Sequence, residues 1–275
     1  YAEVQSALNK LHKQKTQLEE KNSLITDSIT YAKRIQDALL PDLESIKKLD
    51  VELGVFYEPK DILSGDFFWF GELENKFIIV LADCTGHGVP GAMMSITGHN
   101  LLNKVVHEKG NNDVAKILSS LHVELVDLMN PERTDTEDGM DVQVLSIDKV
   151  TDEVCYSGAK NPIYFTDFED TLVRIKANPF SVGGTQTASI PVFTKHVLPP
   201  EWKNIFLCSD GFQDQFGEND KKFMVGKLKE CFSAIAEESV TTQVSLLKKK
   251  FISWRGDREQ TDDVLVMSIK NKSLQ

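Results

Sequence analysis

Residues 77–88 read Phe77-Ile78-Ile79-Val80-Leu81-Ala82-Asp83-Cys84-Thr85-Gly86-His87-Gly88, an apolar, strand-like run that ends on a carboxylate and a glycine-rich turn. The pattern recurs at distant points. Ile205-Phe206-Leu207-Cys208 leads into Ser209-Asp210-Gly211, Val264-Leu265-Val266-Met267 leaves from Asp262-Asp263, and Ser64-Gly65-Asp66 opens a further strand candidate. Buried strands that end in aspartates place hard oxygen ligands at one edge of a sheet, as a Mg²⁺ or Mn²⁺ site requires. These residues predict a metal-dependent hydrolase.

Outward from that stretch, strands are expected at 51–57, 66–72, 76–83, 141–147, 153–157, 162–166, 171–175, 192–197, 204–208 and 264–269. Helices are expected at 90–108 and 114–129, the second capped by Asn112 or Asp113, with a helical region over 221–254. Many short strands in meander order with two helical blocks predict antiparallel sheets covered by helices. Gly86, Gly88 and Gly91 permit a tight turn into the first helix, and Pro90 suits its first turn.

Residues 1–40 differ in kind: they hold no Gly or Pro and are rich in Lys, Glu, Gln and Leu. In a heptad register Val4, Leu11, Leu18, Ile25, Ala32 and Leu39 fall at d, and Tyr1, Leu8, Lys15, Asn22, Ile29 and Gln36 at a. That spacing predicts a coiled coil roughly 60 Å long, with polar a residues setting a parallel dimer in preference to a helix lying on the next domain. The expected division is a dimerisation and signalling helix at 1–40, a linker at 41–50 begun by Pro41, and a globular domain at 51–275.

Charge narrows the partners. Lys and Arg total 31 against 42 Asp and Glu, so no concentrated basic face is expected for nucleic acid or an anionic membrane, and Lys248-Lys249-Lys250 reads as a solvated helix face. The four cysteines lie far apart, which fits a reducing cytoplasm and gives no zinc pattern. No apolar run nears the roughly 20 residues that span a bilayer. Without an initiator Met, the chain is expected to be the cytoplasmic part of a longer protein with an upstream sensor.

Gathered at one edge, Asp66, Asp83, Asp210 and Asp262 would repel one another unless cations sat between them. A pair of ions about 3.5–4 Å apart can share a water, lower its pKa and aim it at phosphorus. No protein nucleophile is then needed, and none is evident: there is no G-x-S-x-G elbow and no C-x5-R loop. His99, His107 and His122 lack paired spacing and read as structural or surface residues, and Met93 and Met94 as core.

In order along the chain, Ser64-Gly65-Asp66-Phe67, Ala82-Asp83-Cys84-Thr85-Gly86-His87-Gly88, Asp138-Gly139-Met140-Asp141, Tyr156-Ser157-Gly158-Ala159-Lys160-Asn161-Pro162, Ser209-Asp210-Gly211-Phe212 and Thr261-Asp262-Asp263 resemble the metal-dependent (type 2C, PPM) protein serine/threonine phosphatases. The resemblance, over roughly 51–270, is strongest to the bacterial branch typified by SpoIIE and RsbU. It implies an α+β fold, an αββα sandwich of two antiparallel sheets flanked by helices, with two Mn²⁺ or Mg²⁺ ions in the cleft between the sheets. It implies that Asp83 bridges the metals, that the carbonyl of Cys84 binds one of them, that Asp210 and Asp262 hold the other, and that Asp66 holds a metal directly or through water. Asp263 is the less favoured of the final pair. The implied substrate is a phosphorylated regulatory protein of the anti-sigma-factor-antagonist type.

The chain departs from the eukaryotic members in two places. Thr85 stands where they carry a proposed general-acid His, and His87 lies four residues after Asp83. Their phosphate-binding Arg has no match ahead of Gly65-Asp66, where Lys60 is the nearest cation. Asp138 matches a third-metal position of some bacterial relatives. A dimeric histidine kinase, with His12 on the coiled coil, is the rival reading, but the expected Asn-bearing helix and second Gly-rich box are missing. An inactive phosphatase-fold scaffold is a third.

Overall fold

In the computed structural model the described residues are 1–43, 49–129, 138–184 and 191–272; part of the expected linker, 44–48, lies outside them. Helix α1 spans Ala2–Leu39. Strands β1 (Val51–Glu58), β2 (Phe67–Glu72) and β3 (Lys76–Cys84) follow, then helices α2 (Gly88–Asn103) and α3 (Val114–Met129). Next come β4 (Gly139–Asp148), β5 (Val154–Ala159), β6 (Ile163–Thr166), β7 (Leu172–Ile175), β8 (Val182–Gly183), β9 (His196–Val197) and β10 (Asn204–Cys208). Helices α4 (Gly211–Asp214), α5 (Met224–Ile235) and α6 (Val240–Arg255) precede the last strand, β11 (Val264–Asn271).

The strands form two antiparallel sheets, one in the order β1-β11-β10-β6-β7 and the other β2-β3-β4-β5-β9, with β8 pairing on β4. Strand alternation explains why β3 is apolar at nearly every position. Phe77, Ile79 and Leu81 face the other sheet, where they meet Ile205, Leu207, Leu265 and Met267. Ile78, Val80 and Ala82 face outward and are covered by α2 and α3 through Leu101, Leu102, Ile117 and Leu121. On the opposite flank Phe206, Cys208, Val264 and Val266 are covered by α5 and α6 through Phe232, Leu247 and Phe251. Three apolar layers thus alternate with two sheets, and a strand buried on both faces cannot show the polar alternation of a half-exposed one.

Several element expectations need adjusting. The strand expected at 192–197 shrinks to His196–Val197, and β8 and the short α4 were not anticipated. The helix expected at 90–108 is α-helical only to Asn103 and then widens into a π-turn over Lys104–Glu108. The region 221–254 is two helices, because Ser239 takes extended backbone angles and caps α6 by accepting from Thr242 N. Asp113 caps α3 by accepting from Ala115 N and Lys116 N, both at 3.1 Å.

Helix α1 ends at Leu39 because Pro41 disfavours helical angles at the residue before it, and Leu40 is extended at φ −66°, ψ 132°. Val4, Leu8, Leu11, Leu18 and Ile25 are exposed, so the helix does not lie along the domain; only its last turns do. No helix among the described residues is long and apolar enough to cross a membrane.

Phe206 is fully buried and stacks on Phe232 with ring centroids 4.4 Å apart. Phe206→Ala should cost about 3–5 kcal/mol in urea unfolding; a loss under about 1 kcal/mol would show that this helix–sheet layer contributes little.

Candidate metal centre

Strands β2 and β11 begin, and β3 and β10 end, at the same edge of the sandwich, which brings the motif aspartates together. In the β3–β4 register Asp83 lies directly opposite Asp141. Glycines let the loops interlock. A Cβ on Gly65 would lie 2.6 Å from the Gly86 carbonyl and 3.3 Å from that of Cys84. A Cβ on Gly211 would come within 1.9 Å of the Asp263 carbonyl, a separation no side chain tolerates.

Asp66 is 2% exposed, and its Oδ2 is buried with no hydrogen-bond partner. Burial, then the charge of Asp83, raises its pKa well above the ordinary range, against a hydrogen bond from Ser209. Asp83 is raised likewise by burial, then by Asp210, Asp141 and Asp262. Burial, with Asp262, Asp214 and Asp141, lifts Asp210 to about 6, against the pull of Lys222. Asp66, Asp83, Asp210 and Asp262 therefore stand within electrostatic reach of one another. Among the described residues, no three such side chains form a closed coordination set as they stand. Acceptor-only oxygens, one of them orphaned in the interior, fit hard divalent cations in chemistry.

The neighbouring residues divide into supports. Asp263 accepts from Lys60 N (2.8 Å) and Gly65 N (2.7 Å), so both its oxygens brace the 60–65 loop. Asp262 Oδ1 accepts from Asp263 N (2.9 Å). Cys84 buries its thiol in the layer beneath α2 and α3, leaving its carbonyl toward the Gly65 loop. Thr85 clamps β3 to β4, its hydroxyl donating to Gly139 O and accepting from Gly139 N, both at 3.1 Å. His87 does not bond backbone: Nδ1 meets Asp61 Oδ2 at 2.7 Å and Nε2 meets Lys60 Nζ at 3.0 Å, on an exposed lip.

Sequence reasoning missed two participants. Within the motif Asp138–Asp141, the charge pressing on Asp83 is that of Asp141, held by Ser181 Oγ at 2.5 Å with Lys160 Nζ 3.8 Å away. Asp138 offers its carbonyl to Gly184 N. Pairing register would have marked Asp141. Gln36, read as a polar a position, is buried against the domain instead: its Nε2 donates to Ser64 O (2.6 Å) and Ser95 Oγ (3.0 Å), and its Oε1 accepts from Ser64 N (3.1 Å). No local signal marks it.

Residues 74–272 match the family model described as Stage II sporulation protein E (SpoIIE). Among solved structures, the SiaA-PP2C domain of Pseudomonas aeruginosa is similar at 25% identity and TM-score 0.81, covering 90% of this chain and 98% of that one. The phosphatase domain and regulatory fragment of SpoIIE from Bacillus subtilis aligns at 17% identity and TM-score 0.62, over 80% of this chain and 61% of that one. RsbX in complex with magnesium aligns at 14% identity and TM-score 0.57, over 80% and 94%. No curated protein sequence matches the chain.

A carboxyl raised from 3.8 to about 6, as Asp210 is, makes the folded chain bind more protons than the unfolded one in that window. Stability then falls as pH rises through it and stays lowered above it. In chelator, Asp210→Asn should raise Tm at neutral pH, with the gain vanishing toward pH 4. A gain equal at both pH values would overturn the assignment.

Proposed function

The chain belongs to the SpoIIE family of PP2C-type serine/threonine protein phosphatases, and from that membership we propose that it dephosphorylates a regulatory partner protein, of the anti-sigma-factor-antagonist type, with two Mn²⁺ or Mg²⁺ ions. The observation that carries the metal reading is the partnerless buried oxygen of Asp66 among mutually repelling carboxylates. Asp83 and the Cys84 carbonyl, with Asp66, Asp210 and Asp262, would hold the ions. RsbX, a structural relative, is a complex with magnesium. When bound, the pair supplies the Lewis acidity that activates water for in-line attack at phosphorus.

The chain's own residues preorganise that site. Asp263 is occupied in bracing the 60–65 loop, which leaves Asp262 as the ligand of the pair. Thr85, at the offset of the eukaryotic His, is committed to backbone and holds the Asp83 turn in register. No imidazole is assigned to the leaving group, and membership of a phosphatase family removes the ground for the kinase reading of His12.

We place dimerisation at α1, where the exposed Val4, Leu11, Leu18 and Ile25 pair with a second copy, on the cytoplasmic side and downstream of a sensor. Helices α2 and α3, which follow directly from the Asp83 loop, offer one route for the signal. Gln36 offers a shorter path: it ties the last turns of α1 to both backbone groups of Ser64, two residues before Asp66, and to Ser95 of α2. A change in helix pairing that moves Gln36 would move the Asp66 loop and alter metal occupancy.

Mn²⁺-dependent phosphate release from a phosphoserine peptide should be abolished by Asp83→Asn with the thermal transition retained; full activity in that variant would break the metal assignment. Gln36→Leu should raise the Mn²⁺ concentration for half-activity, as should removal of residues 1–40. Metal affinity and turnover unchanged in both would rule out the relay.

A further inference from the structure

The flank formed by α5 and α6 carries a feature set apart from the metal edge. Residues 221–258 hold nine Lys and Arg against four Asp and Glu, in a chain that holds 31 against 42. Between the two helices runs a groove of about 540 Å³ lined by Cys231, Ala234, Leu246 and Trp254, with Lys227 and Lys250 and one acid, Glu230, also lining it. Lys227 Nζ stands 3.7 Å from the centre of the Trp254 ring, an arrangement that fixes a cation at the edge of apolar surface. Among the described residues, no carboxylate forms an ion pair with Lys227, Lys229, Lys249 or Lys250, whereas Lys222 pairs with Asp214 and Lys248 with Glu58. Within the exposed triple-lysine segment, Lys248 is held in an ion pair and Lys250 lines the groove.

We infer that this groove docks an acidic amphipathic helix of a partner protein. The lining residues recur three and four apart on each helix, so the groove presents the ridges into which a third helix packs. The unpaired lysines on its rim complement acidic side chains flanking that helix's apolar face. The apolar surface is recessed between two helices, which suits a protruding helix and not the flat face of a bilayer. The chain's own exposed helix, α1, carries six Lys and Arg against five Asp and Glu, so it lacks the acidic flanks that a lysine rim complements. The groove also touches the machinery at one remove. Trp254 Nε1 donates to Gln215 O at 3.0 Å, and Gln215 Oε1 accepts from Thr261 N at 3.0 Å, next to Asp262.

The test is direct binding, independent of catalysis. Trp69 and Trp202 are buried and Trp254 is half-buried at the groove, so indole fluorescence reports occupancy. The probe is a synthetic helix with Leu and Ile on one face and Glu on the flanks, titrated into the full chain beside phosphatidylglycerol vesicles. Saturable binding is expected, weakened at least about tenfold by Lys227→Glu with Lys250→Glu, and likewise by Ala234→Arg, which fills the groove. The control Lys13→Glu with Lys116→Glu should stay within about twofold, and raising salt from 0.1 M to 1 M, where the Debye length shrinks to about 3 Å, should weaken binding. p-Nitrophenyl phosphate hydrolysis should be unchanged in all variants. Affinity indifferent to the groove substitutions, failure of the peptide to bind, or vesicle binding in its place would each overturn the inference.

Discussion

The structure depends on how closely buried carboxylates can be held together. Asp66, Asp83 and Asp210 each sit where burial and a neighbouring aspartate oppose ionisation, an arrangement that costs stability unless something positive intervenes. The fold resists that repulsion with covalent strand ends and backbone contacts. Each aspartate caps or opens a strand whose remaining residues are locked in an apolar layer. The loops that carry them touch backbone to backbone through Gly65 and Gly211. A cluster so constrained cannot relax by moving apart, and its acceptor-only oxygens suit hard cations in chemistry.

Hydrogen bonds from side chains to backbone do much of the positioning. Asp263 spends both oxygens on backbone amides, Thr85 spends its hydroxyl on both backbone groups of Gly139, and Gln36 spends its amide on both backbone groups of Ser64. Each of these bonds joins segments far apart in the chain, and each leaves a buried amide or carbonyl unsatisfied if removed. The same economy links the two flanks. Gln36 brings α1 to the Asp66 loop from one side, and Trp254 with Gln215 brings α6 to the Asp262 turn from the other. The metal edge therefore lies between two flanks that each reach it through hydrogen bonds to backbone.

Six motifs in order, with the apolar runs beside them, were enough to read the sandwich, the edge on which the aspartates gather and the family. Strand ends carry that information locally, because an apolar run stopping at Asp83 or Asp210 has few places to go. The long helix at 1–40 was legible for the same reason: heptad spacing without Gly or Pro is a local property. Boundaries were less so. The π-turn after Asn103, the break at Ser239 and the brevity of β9 follow from packing and capping between distant segments.

What the sequence determined alone is thus whatever a window of neighbouring residues can encode: strand, helix, turn and the residue types of a hard-metal site. Tertiary structure decided the rest. Only the β3–β4 register puts Asp141 opposite Asp83, only the docking of α1 turns Gln36 from a polar seam residue into an anchor for Ser64, and only the pairing of α5 with α6 collects scattered lysines around one apolar groove. The physical reason is common to all three. Electrostatic and hydrogen-bonding partners are chosen by proximity in space, and residues 28 to 198 positions apart become neighbours only when the apolar layers have closed.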